Sequence, residues 1–306
     1  MYKNLNCELL GISGRQSEII ELALTYGFRG IDIDIADLVK RCQRSSFESA
    51  ARFLTSSKLS MAGFDAPIDL DSDEDTYAAQ AARLNGVAEI AQRANAMLAI
   101  VSVPAATNRL PYPEYFEVIR KRIDEIAGIF LKENVRVALS FATRSFAPEG
   151  KQFKFVQDAD GFAALMRACT AGNLGMVFDS WIWHLAGGTM DTLQSIGPKR
   201  VFSVRLGDCK EGLDLASATA EDCLLPNSTG VIDNVGYLAK LAEHGGKLPV
   251  AARGLPLGES GTRDALISKA QDALDQTLEQ AGLPSVTRKP ETYVAAASYR
   301  SYSERT

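Results

Sequence analysis

The fold is decided by residues 97–141. An apolar run, Met97-Leu98-Ala99-Ile100-Val101-Ser102-Val103, leads to a helical stretch over 115–132 and then to a second apolar run, Val135-Arg136-Val137-Ala138-Leu139-Ser140-Phe141. The helical stretch puts Val118, Ile119, Ile123, Ile126, Ala127 and Phe130 on one face and stops near Asn134. Strand, amphipathic helix and strand in that order require a crossover, so the two strands pair in parallel. Strand-like runs recur at 5–12, 30–35, 59–64, 97–103, 135–141, 174–179, 200–208 and 247–253, which makes eight. Helical patterns follow them, among them 17–26 with Gly27 beyond its end, a seventh carrying Ile232, Val235, Leu238, Ala239 and Ala242, and an eighth carrying Ile267, Ala270, Leu274 and Leu278. Eight parallel units close into an α/β fold, the (β/α)8 TIM barrel, as a single domain. An open doubly wound sheet usually announces a nucleotide site with Gly-x-Gly-x-x-Gly after its first strand. Here that turn reads Gly11-Ile12-Ser13-Gly14.

The barrel is expected to span 1–283. The acidic run 69–75 precedes the third helix, where carboxylates suit the positive helix start. The tail 284–306 mixes Tyr, Ser and Arg without periodicity, which fits an extended or disordered end, or an arm laid on a neighbour in a homo-oligomer.

Composition narrows the partners. Over 306 residues, 46% hydrophobic and 23% charged, 33 Lys and Arg face 38 Asp and Glu for a net charge of −5. No basic footprint for nucleic acid or an anionic membrane is present, so a small molecule is the expected ligand. Cys7, Cys42, Cys169, Cys209 and Cys223 are odd in number and scattered, without a Cys-x-x-Cys pair, which speaks against a disulfide framework or a thiolate zinc site. The first twenty residues carry Glu8, Arg15 and Glu18 and no apolar block. A cytoplasmic location is expected.

In such barrels the site lies at the carboxyl ends of the strands. With side chains alternating along each strand, Asp179 shares a face with Val177, Arg205 with Ser203, Asp32 with Asp34, and Arg253 follows Ala251. Any one of these charges has a structural reading as a solvated or paired strand end. Their convergence from four strands points to a functional cleft, because unpaired buried charge is costly.

Several stretches resemble the xylose-isomerase-like sugar isomerase and epimerase barrels. These are Gly11-Ile12-Ser13 leading to Tyr26-Gly27-Phe28-Arg29-Gly30-Ile31-Asp32; Val177-Phe178-Asp179-Ser180-Trp181; Phe202-Ser203-Val204-Arg205-Leu206-Gly207-Asp208; and Leu225-Pro226-Asn227 followed by Gly230-Val231-Ile232-Asp233. The resemblance implies a divalent metal held by two glutamates, an aspartate and a histidine, with carboxylates moving a proton on a sugar. Matched strand by strand, the first glutamate falls on Ser140, the aspartate on Asp179, the histidine three residues later on Ile182, the seventh-strand histidine on Arg205 and the last glutamate on Arg253. Arginine has no lone pair for a metal, so Arg205 and Arg253 repel a divalent cation. The only histidines are His184 and His244, which excludes the trinuclear zinc site of the related endonucleases.

No cofactor is therefore expected, and the resemblance implies an isomerase or epimerase of a sugar, sugar phosphate or polyol. Asp179 or Asp208 would serve as base and Arg205 as the group that stabilises developing charge. Asp32, Asp34, Ser140, Trp181, His184 and Arg253 would line the substrate site, with Trp181 or Trp183 as a stacking wall. Two alternatives stand beside it. One is an inactive barrel kept for carbohydrate binding or assembly. The other is a rebuilt metal set of Asp179, His184, Asp208 and Asp32.

Overall fold

A computed structural model describes residues 1–258 and 261–285. Eight parallel strands close into a barrel: β1 Tyr2–Leu5, β2 Gly30–Asp32, β3 Ser60–Asp65, β4 Leu98–Val103, β5 Arg136–Phe141, β6 Leu174–Asp179, β7 Val201–Leu206 and β8 Pro249–Ala252. Each pairs with the next, and Tyr2 opposite Pro249 closes the ring between first and last. Ten α-helices surround the strands among the described residues: α1 Gln16–Thr25, α2 Ile35–Arg44, α3 Phe47–Ser56, α4 Glu74–Arg93, α5 Tyr112–Leu131, α6 Ala159–Ala168, α7 Ser180–Leu185, α8 Met190–Ile196, α9 Asn234–Ala242 and α10 Arg263–Gln280. None is long and apolar enough to cross a membrane.

The alternation along the strands builds the interior in layers. Leu98, Ile100, Ala138 and Val177 fill the barrel core, while Ala99, Val101, Val137, Leu139, Met176 and Phe178 pack outward under the helices. One step further along, Ser102 pairs in register with Ser140, and Asp179 with Arg205. The same periodicity that packs the core therefore delivers a polar ring at the carboxyl mouth.

Two strand ends depart from the sequence expectation. The first strand stops at Leu5, and Glu8–Leu10 forms a 3-10 turn, because the Asn6 side chain accepts the Leu9 amide at 3.1 Å and Gly11 closes the turn with φ 65°. The apolar residues Leu10 and Ile12 that imitated a strand instead pack against the core from this turn. The second strand ends at Asp32, because the Asp34 carboxylate accepts the Asp37 amide and caps α2. Asp32 and Asp34 thus do not share a strand face. The acidic run before the third expected helix does cap it: Asp73 accepts from the Thr76 amide at 2.9 Å at the start of α4. A short antiparallel pair, Ala106–Thr107 with Phe153–Lys154, adds a flap that the sequence did not announce. Of the tail, residues 286–306 lie outside the described residues.

Closure is reinforced below the sheet by Lys3 of β1, whose ammonium meets Asp275 of α10 at 2.6 Å with both side chains buried. Burial works to raise the Asp275 carboxyl, and hydrogen bonds from Lys3, Ser285 and Gln271 outweigh it, so the group lies below its ordinary 3.8. A depressed carboxylate stabilises the fold above that value and loses its contribution as pH falls below it. Lys3→Met removes the cation facing this carboxylate and is expected to cost about 3 kcal/mol in urea unfolding at neutral pH, with the deficit shrinking in acid as Asp275 protonates.

Candidate active site at the carboxyl mouth

Two adjoining cavities open at the carboxyl ends of the strands. The first, about 490 Å³, is lined by Ser102, Ser140, Arg205 and Arg253 on its barrel side, with Glu221 and Cys223 on the loop opposite. The second, about 480 Å³, includes Asp32, Asp34 and Phe64. Asn6, Glu8 and Asp65 belong to both walls.

Asp179 ends β6 and caps α7, accepting the Ile182 amide at 3.2 Å. Its other oxygen receives Nη1 of Arg253 at 2.5 Å, with side-chain exposures of 9% and 21%. Burial works against the Arg253 charge, but Asp179 and the Cys223 thiol hold its guanidinium above the ordinary value. Burial also pushes the Cys223 thiol up to about 12, so it stays protonated. Arg253 is delivered by a tight passage: Gly254 has φ 98°, and a Cβ there would meet the Cys223 and Leu224 backbone at 2.6–2.7 Å. Only glycine fits.

Arg205 differs from Arg253. It is half-buried, lines the first cavity, and makes no hydrogen bond or ion pair with a described residue. Its charge is felt by Asp32 at the end of β2. Asp32 is held by two asparagines from β1 and the segment after it: Asn4 Nδ2 donates to Oδ1 at 2.9 Å, and Asn6 Nδ2 donates to Oδ2. Burial pushes the Asp32 carboxyl above its ordinary 3.8 and Asp65 adds to the rise, while Arg205, Asn4 and Asn6 oppose it. Ser102 and Ser140 Oγ atoms stand 3.2 Å apart on the same floor.

Other nominated residues lie elsewhere. Asp208 is fully buried and lines neither cavity; Cys209 and Ile232 amides donate to Oδ1, and Thr229 and Gly230 amides to Oδ2, at 2.8–3.1 Å. It anchors the 225–232 loop. Trp181 is fully buried against Ile182, Cys209 and Cys223, behind the cavity wall. Trp183 packs edge-on to Phe141 in the layer between sheet and helices. Neither indole is a stacking wall of the mouth. His184 is half-buried on α7, lines neither cavity, and has its imidazole held below 6.5 by burial. Asp34 is exposed at the rim of the second cavity with its carboxylate engaged in capping.

Sequence reasoning passed over Asn4, Asn6, Asp65, Ser102 and Cys223. Ser102 carried the same inward alternation as Ser140, and Asp65 directly follows an apolar run, as Asp179 ends one. The asparagines carried no such signal, because the first strand had been drawn out of register.

The family's metal does not suit these side chains. The four strand-end positions hold Ser140, Asp179, Arg205 and Arg253, of which only Asp179 offers a carboxylate, and that carboxylate is bound to Arg253. Among the described residues no group of three His, Cys, Asp or Glu is placed to hold a metal ion. The rebuilt set is not assembled either, since His184 and Asp208 stand apart from the cavity that Asp32 lines.

Asp208→Ala strips the acceptor from four backbone amides, two of them buried. It is expected to lower stability by on the order of 3 kcal/mol in chemical unfolding and to open the 225–232 loop to limited proteolysis.

Comparison with known proteins agrees with this architecture. A segment of an inosose isomerase from Bacillus velezensis is 28% identical over 147 residues, 48% of this chain and 49% of that protein, so the match spans about half the length of this relative. A xylose isomerase domain protein from Alicyclobacillus acidocaldarius superposes with a TM-score of 0.77 at 23% identity over 92% of this chain and 99% of its own. The IOLI protein, solved with a binding zinc atom, superposes with 0.71 at 17% identity over 92% and 98%. The profile of the xylose isomerase-like TIM barrel family matches residues 20–252. The chain belongs to the xylose isomerase-like TIM barrel family.

Proposed function

We propose that the protein is a metal-independent isomerase of a small polyhydroxylated carbonyl compound, a sugar, sugar phosphate or polyol-derived ketone, working at the carboxyl mouth of the barrel. The observation that carries this reading is Asp32, a carboxylate clamped by two amides, in the cavity adjoining that of Arg205, whose charge reaches it and which makes no hydrogen bond or ion pair with a described residue. The likeness to an inosose isomerase supports a polyol-derived ketone among the substrates.

In this reading Asp32 removes the proton from the carbon beside the carbonyl. The electron pair of that C–H bond moves into a C=C bond and the carbonyl electrons onto oxygen, where the Arg205 guanidinium stabilises the charge of the enediolate. Asp32 returns the proton to the neighbouring carbon, and the hydroxyl proton passes between the two enediol oxygens. A metal normally holds that negative charge in such barrels; here a guanidinium does so. Asp179 acts through Arg253, which it fixes in the wall, and Asp208 acts by holding the 225–232 loop. Ser102 and Ser140 supply hydroxyl partners for the substrate.

Incubation of ketoses, aldoses and inososes with the enzyme in D2O is expected to place deuterium at the carbon next to the carbonyl. Asp32→Asn should lower the exchange rate by about 10²–10⁴-fold. Exchange that persists in Asp32→Asn would reject the assignment. Because the base form is the active one, the rate should rise with pH through a limb lying above 3.8, the direction in which burial moves Asp32.

Metal removal gives a separate check. Exhaustive dialysis against a chelator is expected to leave exchange and thermal midpoint unchanged, and zinc, manganese or magnesium should add no thermal shift. Stoichiometric metal in the purified protein would overturn metal independence.

Replacement of three of the four metal-ligand positions also favours a second reading, a carbohydrate-binding barrel without turnover. Ligand binding with no exchange on any substrate would select it.

A further inference from the structure

We propose that the ligand of this site carries an ionised carboxylate that docks on Arg205, making it a polyhydroxylated acid rather than a neutral sugar or a phosphate ester. The inference rests on the isomerase reading for its chemistry and adds the substrate class: one edge of the Arg205 guanidinium holds the carboxylate, and its remaining N–H donors face the oxygen on which enediolate charge develops.

The two arginines of the floor have different partners. Arg253 is matched one-to-one by Asp179 at 2.5 Å and lies beside Cys223 in the same wall. Arg205 is half-buried beside it with no hydrogen bond or ion pair to any described residue. A guanidinium has five donors and no way to shed its charge, so acceptors for a half-buried one come from whatever fills the cavity. Asp32 feels that charge, but its two oxygens are engaged by Asn4 and Asn6 and it makes no ion pair with Arg205.

The rim selects the kind of anion. Glu8, Asp65 and Glu221 stand in the same cavity wall, so negative charge beyond one unit meets repulsion there. A carboxylate brings one negative charge for one free cation, and its planar oxygens match the guanidinium fork in two parallel hydrogen bonds. A phosphate monoester brings close to two charges, and the described residues lining the cavity offer no second free cation, because Arg253 is taken. The Ser102 and Ser140 hydroxyls and Asn6 beside Arg205 suit the hydroxyl groups on the rest of such a molecule.

Calorimetric titration of the full chain with aldonates of increasing length, and with the alditols and alditol phosphates of the same carbon skeletons, tests this directly. The expected result is at least about tenfold tighter binding of one or more aldonates than of their matching alditols and phosphates. That preference should vanish in Arg205→Gln and return in part in Arg205→Lys, which keeps the charge without the fork. Circular dichroism and thermal midpoints would establish that both variants fold. If Arg205→Gln fails to fold, Arg205→Lys alone still decides, since weakened aldonate binding with unchanged alditol binding is expected. Equal affinity for acids and alditols, a preference for phosphates, no aldonate bound, or a preference that survives Arg205→Gln would each overturn the inference. Deuterium exchange on neutral sugars without acid preference removes the carboxylate and leaves the isomerase. Acid binding without exchange on any substrate does the reverse.

Discussion

The contact on which the mouth of this barrel depends is the ion pair between Asp179 and Arg253. A buried carboxylate at the tip of β6 requires a cation, and in this chain the cation is covalently part of the protein. Its arrival fixes much else. Arg253 reaches Asp179 only because the backbone turns sharply at Gly254, and that turn is pressed against Cys223 and Leu224 on one side and bonded to the Leu9 carbonyl on the other. The loops after β1, β7 and β8 are thereby gathered around a single charge pair.

Asp208 does for the outer loop what Asp179 does for the floor. The two carboxylates that end the sixth and seventh apolar runs look alike in sequence, yet one meets a guanidinium and the other meets four backbone amides. Both are satisfied, so neither is left to act directly on a ligand. Arg205 and the two serines instead line the first cavity and Asp32 the second, with Glu8 and Asp65 in both walls. Saturation of some polar groups by the protein is what defines the site made by the others.

The barrel was legible because burial imposes periodicity. Strands covered on both faces, such as Met97–Val103 within the sequence run, read as apolar blocks, and helices lying on them read as stripes. The site was legible only in part. The inward positions of Asp179, Arg205, Ser140 and Arg253 follow from alternation within one strand, which is local information. What each side chain meets depends on register between strands and on loops that fold back over the mouth, and local pattern does not contain it. Leu10 and Ile12 show the difficulty: their burial is real, but it comes from a 3-10 turn tucked against the core, and reading it as strand hid the asparagines that grip Asp32. The indoles misled in the opposite way, since a large aromatic ring beside a strand end packs under helices as readily as it stacks on a sugar.

The grip of Asn4 and Asn6 on Asp32 has a stereochemical consequence. With one amide on each oxygen, the carboxyl group is anchored from the β1 side and presents itself to the cavity from one direction. A proton lifted by such a group is handed back to the same face of the planar intermediate. Suprafacial transfer between adjacent carbons is natural to that arrangement, whereas inverting a single carbon asks for a second proton carrier on the opposite face. In the isomerase proposed above, the clamp therefore favours moving a carbonyl along a chain over changing the configuration of one centre.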